Sequence, residues 1–126
     1  MSTATLPKSA SIKLDPKFRR MLTMVRVACE AIGVQSRQIT IKSNDQIEIE
    51  DFGITVTRKD GDENGAPAKV WLVSERYKVF SLMRKPQEKE EILLTASMDD
   101  ASSVAAKVAQ VCARQMIELA IDAELA

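Results

Sequence analysis

Residues 97–126 read SMDDASSVAAKVAQVCARQMIELAIDAELA, and this run decides the fold class. It predicts one long helix. Ser97 or Asp99 can cap its amino end, Asp99 and Asp100 stand near the positive pole of the helix dipole, and the periodicity runs to about Glu124. Val104, Val108, Val111, Cys112, Met116 and Leu119 form a core-facing stripe. A second ridge, Ala105, Ala109, Ala113, Ile117 and Ile121, rises beside it at strict four-residue spacing. Together they cover well over half the circumference, more than a helix with one buried face requires. The alanines let another helix approach closely. That helix belongs either to this chain or to a second copy, and both arrangements can hold at once.

The chain supplies one other helix, over residues 16–32. Asp15 can cap it, Pro16 suits its first position and Gly33 can end it. Phe18, Met21, Leu22, Val25, Ala28, Cys29 and Ile32 recur at intervals of three and four, with Arg19, Thr23, Arg26 and Glu30 on the opposite side. This is an amphipathic helix lying on a core.

Between the helices the period changes to two. Residues 37–43 alternate, Ser43-Asn44-Asp45-Gln46 is a hairpin turn, and residues 46–50 resume the alternation. The apolar phase then switches from odd (Ile47, Ile49) to even (Phe52, Ile54, Val56). A bulge at residues 51–53 in one long strand is the preferred explanation, and a tight turn between two strands is the other. Residues 59–68, KDGDENGAPA, read as a loop. Residues 70–73 and 77–83 read as strands; helical spacing also fits 74–85, but the aromatic and β-branched content favours strand. Residues 84–91 form a charged connection and 92–96 a last strand.

These elements make an α+β fold: an antiparallel sheet of four or five strands, with the N-terminal and the long C-terminal helix on one face. Residues 1–14, small and without a continuous apolar run, read as a flexible leader, and 15–126 as a single domain. With 126 residues, 45% of them hydrophobic and 29% charged, the chain can close one core and is too apolar for disorder. No apolar run is long enough for a membrane span, and the cytoplasm is the default location. Cys29 and Cys112 read as buried thiols of a reducing compartment; a disulfide is open to them only if the two helices are neighbours. The net charge is zero, yet residues 1–38 hold seven cations against two acids. That asymmetry is either one solvated helix face or a guide for an acidic partner.

Enzyme chemistry finds no foothold here. Without histidine, no Ser-His-Asp or Cys-His pair can be built. None of the four glycines belongs to a phosphate-binding motif. Asp60-Gly61-Asp62-Glu63-Asn64-Gly65 matches the opening of a calcium loop, but the twelfth position is Trp71 instead of Glu and Pro67 falls at the eighth. A polar hairpin loop is the simpler reading. The acidic pairs Glu48/Glu50, Glu90/Glu91 and Asp99/Asp100 sit at solvent-facing or helix-start positions, where nothing raises the pKa of one partner. No catalytic residue, metal or cofactor is expected.

The function expected is therefore contact. The leading expectation is a non-catalytic binding or assembly module, a homo-oligomer (most simply a two-fold dimer) joined through Ala105, Ala109, Ala113, Ile117 and Ile121, with an unidentified protein as a further partner. Compact domains of this order are common among phage and mobile-element accessory proteins, although no residue here carries that assignment. The alternative is a nucleic-acid-binding protein. Its contacts would be Arg19, Arg20 and Arg26 on the first helix, or Trp71, Arg76, Lys78 and Arg84 on the later strands. Alternation splits the strand set between two faces, so only part of it can line one groove.

Overall fold

In the computed structural model, residues 14–125 are described; residues 1–13 of the expected leader lie outside them. Helix α1 spans Pro16–Ala31. Five strands follow, β1 Ile39–Ser43, β2 Gln46–Ile49, β3 Ile54–Glu63, β4 Ala66–Ser81 and β5 Arg84–Ser97, and helix α2 spans Ala101–Leu125. The strands form one antiparallel meander in the order β1-β2-β3-β4-β5. This is the α+β arrangement expected.

Local chemistry sets the ends of α1. The Asp15 carboxylate accepts from the Phe18 N–H at 2.9 Å, and Pro16 occupies the first turn. At the other end Val34 N–H reaches Cys29 C=O and Gly33 N–H reaches Glu30 C=O, the paired bonds of a Schellman stop. Asp100 plays the capping role at α2, accepting from the Ser103 N–H at 3.3 Å.

Two rows of side chains cross the sheet beneath the helices. Ile41, Ile47, Val56, Val73 and Leu94 are register partners in one; Ile39, Ile49, Ile54, Glu75 and Glu91 in the other. Trp71 extends the same face of β4, packing at a tilt against Phe18 of α1 with ring centroids 6.1 Å apart. Glu75, on that same face, meets Arg114 of α2. Both helices therefore cover one side, and Val25 and Cys29 of α1 share one buried cluster with Val104, Val108 and Cys112 of α2. Burial of this kind yields roughly 25 cal/mol per Å² of apolar surface, the dominant favourable contribution in a fold of this size.

The register also corrects the preferred reading of residues 51–53. Ile49 pairs with Ile54, so β2 and β3 are two strands joined by a single 3₁₀ turn at Glu50–Phe52 and by Gly53 in the left-handed region, φ 65°. The odd-to-even switch is what an antiparallel pairing across a four-residue connection produces, without a bulge. A second correction concerns residues 59–68. They are the ends of β3 and β4, closed by the two-residue turn Asn64-Gly65 with φ of 53° and 81°. Positive φ at both central positions matches strand twist, and Asn-Gly adopts it most readily. Thirdly, β4 is one strand of 16 residues rather than two short ones. Finally, the supposed charged connection 84–91 is the first half of β5, pairing with Glu75–Ser81. Strand formation there owes nothing to burial, because residues 77–91 are exposed on both faces.

Candidate interaction surface

The expected self-association ridge is divided by its surroundings. Ala105 is buried in the intrachain core and Ala109 and Ala113 are half-buried, whereas Ile117 and Ile121 remain 60% and 52% exposed. Leu119, assigned from the sequence to the core-facing stripe, is 67% exposed, and Leu125 81%. The physical reason is length. The part of the sheet wider than the β4–β5 hairpin ends at Glu75, and the apolar surface of α2 beyond Arg114 stays exposed.

The nucleic-acid candidates are scattered. Trp71 is fully buried, its indole N–H donating to the Met98 carbonyl at 3.3 Å, so it offers no stacking surface. Arg76 donates to Glu48 at 2.7 Å on the helix-free side of the sheet, where Lys42 also pairs with Glu48 at 3.2 Å. Arg19 and Arg20 are exposed on α1 and Arg26 is half-buried. Lys78 and Arg84 project from the far end of the β4–β5 hairpin. Lys78 and Arg84 share the β4–β5 hairpin but pair with different residues, Glu88 and Ser81, and the arginines of α1 lie on a different element.

Two clefts of about 490 Å³ each mark the surface. The first lies between the start of α1 and the sheet, and its charges neutralise one another: Lys17 with Asp99 at 3.1 Å, and Arg58 with Asp15 and Asp45. The second lies at the base of the β4–β5 hairpin, lined by Phe52, Glu75, Tyr77, Lys78 and Gln115. Glu75 is its organising group. Arg114 donates to both Glu75 oxygens, at 2.8 and 2.6 Å, and Gln115 donates to Glu75 at 2.6 Å and to the Phe52 carbonyl at 2.9 Å. The bond to Glu75 raises the pKa of Arg114, against a smaller opposing effect of burial.

This bridge was not singled out from the sequence. An acid in the inward phase of β4, after Trp71 and Val73, is the signal that reading residues 70–83 as two strands concealed. The half calcium loop resolves into a strand end and a turn, and Asp60 is held by Lys69 at 2.9 Å, which lowers its pKa. Among the described residues no group of three acidic, thiol or imidazole side chains converges. The two thiols do meet: Cys29 and Cys112 are both fully buried, and the Cys112 thiol is pushed up by its hydrogen bond to Cys29 and by burial.

Beyond the Glu75–Arg114 bridge, two apolar elements continue without cover from any other described residue. One is the tail of α2, with Ile117, Leu119, Ile121 and Leu125. The other is the β4–β5 arm, with Phe80 72%, Leu82 102% and Met83 93% exposed at its tip. Among the described residues no helix is long and apolar enough to cross a membrane. Protein-family models, curated proteins and solved structures give no match to this chain.

Proposed function

We propose that this protein is a non-catalytic assembly module that associates with itself, and that the tail of α2 is the principal contact. One observation carries the reading. Ile117, Leu119, Ile121 and Leu125 lie along a helical segment that no other described residues cover. Ile117, Ile121 and Leu125 fall on one side at four-residue spacing and Leu119 on the other, so the segment is apolar on opposing sides. Helices that are apolar on opposing sides are normally buried on both.

Multi-angle light scattering tests this directly. The wild type is expected to weigh as an oligomer, most simply a dimer, and Ile117→Glu with Ile121→Glu is expected to weigh as a monomer with an unchanged circular dichroism spectrum. A wild-type monomer at every concentration would sink the proposal. Ala109→Glu is the poorer probe, because Ala109 is already half-buried within the chain.

A further inference from the structure

The α2 tail and the β4–β5 arm leave the molecule on the same side. Helix α2 starts beside the middle of β4, where Trp71 bonds Met98, and the two elements meet again further along at Glu75 and Arg114. Past that point β4 reaches roughly 20 Å further, from Glu75 to Ser81 at about 3.3 Å per residue. The helix reaches roughly 16 Å, from Arg114 to Leu125 at about 1.5 Å per residue. The two projections are similar in length.

The tip of the arm and the tail are opposite in charge, whereas the base of the arm is mixed, with Glu88 the register partner of Lys78. Residues 78–85 of the arm carry Lys78, Arg84 and Lys85 and no acid, whereas residues 116–125 of the tail carry Glu118, Asp122 and Glu124 and no base. Among the described residues, Lys78, Arg84, Lys85, Asp122 and Glu124 make no ion pair, and Glu118 has only its helical neighbour Arg114 at 3.5 Å. The tail also ends with no basic residue in its last turn, so its acids lie against the negative pole of the helix dipole and call for cations from outside. In each projection an apolar row runs beside a charged one: Phe80 beside Lys78 on the arm, Ile117 and Ile121 beside Glu118 and Asp122 on the tail. The arm itself is a two-stranded hairpin clear of the five-stranded sheet, an element of marginal stability when unsupported in water.

Resting on the self-association proposed above, we infer that each copy's arm docks on the α2 tail of a second copy. Lys78, Arg84 and Lys85 face Glu118, Asp122 and Glu124, while Phe80, Leu82 and Met83 cover Ile117, Ile121 and Leu125. Because both projections leave on one side, two copies set end to end exchange them reciprocally, and a two-fold dimer closes with two equivalent contacts. Strand addition is the disfavoured alternative, since Pro86 and the alternating Lys and Glu residues blunt the outer edge of β5.

A charge exchange tests the docking. One variant carries Lys78→Glu, Arg84→Glu and Lys85→Glu; the other carries Glu118→Lys, Asp122→Lys and Glu124→Lys. Each alone places like charges together, and its dimer dissociation constant is expected to rise about 100-fold or more. Mixed in equal amounts the two are expected to form a heterodimer, since every arm then meets a tail of opposite sign. Variants that dimerise as the wild type does, or weakened variants that mixing fails to rescue, overturn the docking and leave self-association standing. A wild type that is monomeric overturns both, including the case in which its arm tip instead binds a single-stranded oligonucleotide in a salt-dependent manner. A second measurement is independent of charge: Leu82→Cys with Ile121→Cys in one chain, oxidised by glutathione disulfide, is expected to give a covalent dimer. Failure to cross-link while the wild type weighs as a dimer also overturns the docking.

Discussion

Arg58 shows how one side chain can join elements distant in sequence. Its guanidinium bonds Asp15 at the cap of α1, Asp45 at 2.9 Å and the Asn44 carbonyl at 2.9 Å in the β1–β2 turn, and lies 5.7 Å from the Phe18 ring centre and 5.8 Å from that of Trp71. Nothing in the run Thr57-Arg58-Lys59 distinguishes it from a solvated strand cation. Arg58→Ala removes charge-assisted bonds and ring contacts together, and a loss of about 2–3 kcal/mol is expected in urea unfolding. The same network gives the stability a pH dependence. The Asp15 carboxyl is held below its usual range by the Phe18 N–H first and the Arg58 guanidinium after it, with burial opposing. A carboxyl whose folded pKa is depressed stabilises the fold above its unfolded value, near 4, and that contribution disappears as pH falls through the folded value. Unfolding measured from about pH 5 down to pH 2 should therefore show a steeper loss for the wild type than for Asp15→Asn. Equal slopes would remove Asp15 from the account.

At the scale of elements, two glycines separate backbone conformation from space. Both Gly53 and Gly65 have positive φ, but a Cβ at Gly53 would lie 2.8 Å from the Arg76 carbonyl oxygen, whereas at Gly65 nothing lies within 4 Å. The crowding has a cause: the Gly53 carbonyl accepts the Arg76 N–H at 2.7 Å, which draws the β2–β3 turn against β4. Gly65→Ala is expected to cost about 1 kcal/mol, the conformational penalty alone. Gly53→Ala is expected to cost about 2–3 kcal/mol. Thermal midpoints of the two variants decide this, and equal losses would show that the contact does not matter. The helices were legible in the sequence because caps and stripes are local. The longest hairpin was not, because residues 84–91 are too charged to read as a strand and are held by ladder hydrogen bonds to residues 75–81.

For the molecule as a whole, the proposed dimer makes a thermodynamic demand. If folded chains associate and unfolded ones do not, mass action raises the thermal midpoint with protein concentration. A calorimetric series over a hundredfold range of concentration should show that rise for the wild type and lose it for Ile117→Glu with Ile121→Glu. A midpoint independent of concentration in both would argue against a dimer coupled to folding.

The sequence by itself determined the two amphipathic helices, the Asp15 cap of the first, the antiparallel character of the segment between them and the surplus of apolar surface on α2. Each of these follows from spacing and side-chain chemistry within a few residues. The cap of α2, expected at Ser97 or Asp99, is Asp100. Only the tertiary structure decided that Trp71 lies inside, that Glu75 is bridged to Arg114, and that Ala105 belongs to the intrachain core while Ile117 and Ile121 stay exposed. Periodicity gives the direction in which a side chain points. It does not give how far the neighbouring element extends, and on α2 that extent separates core from contact surface.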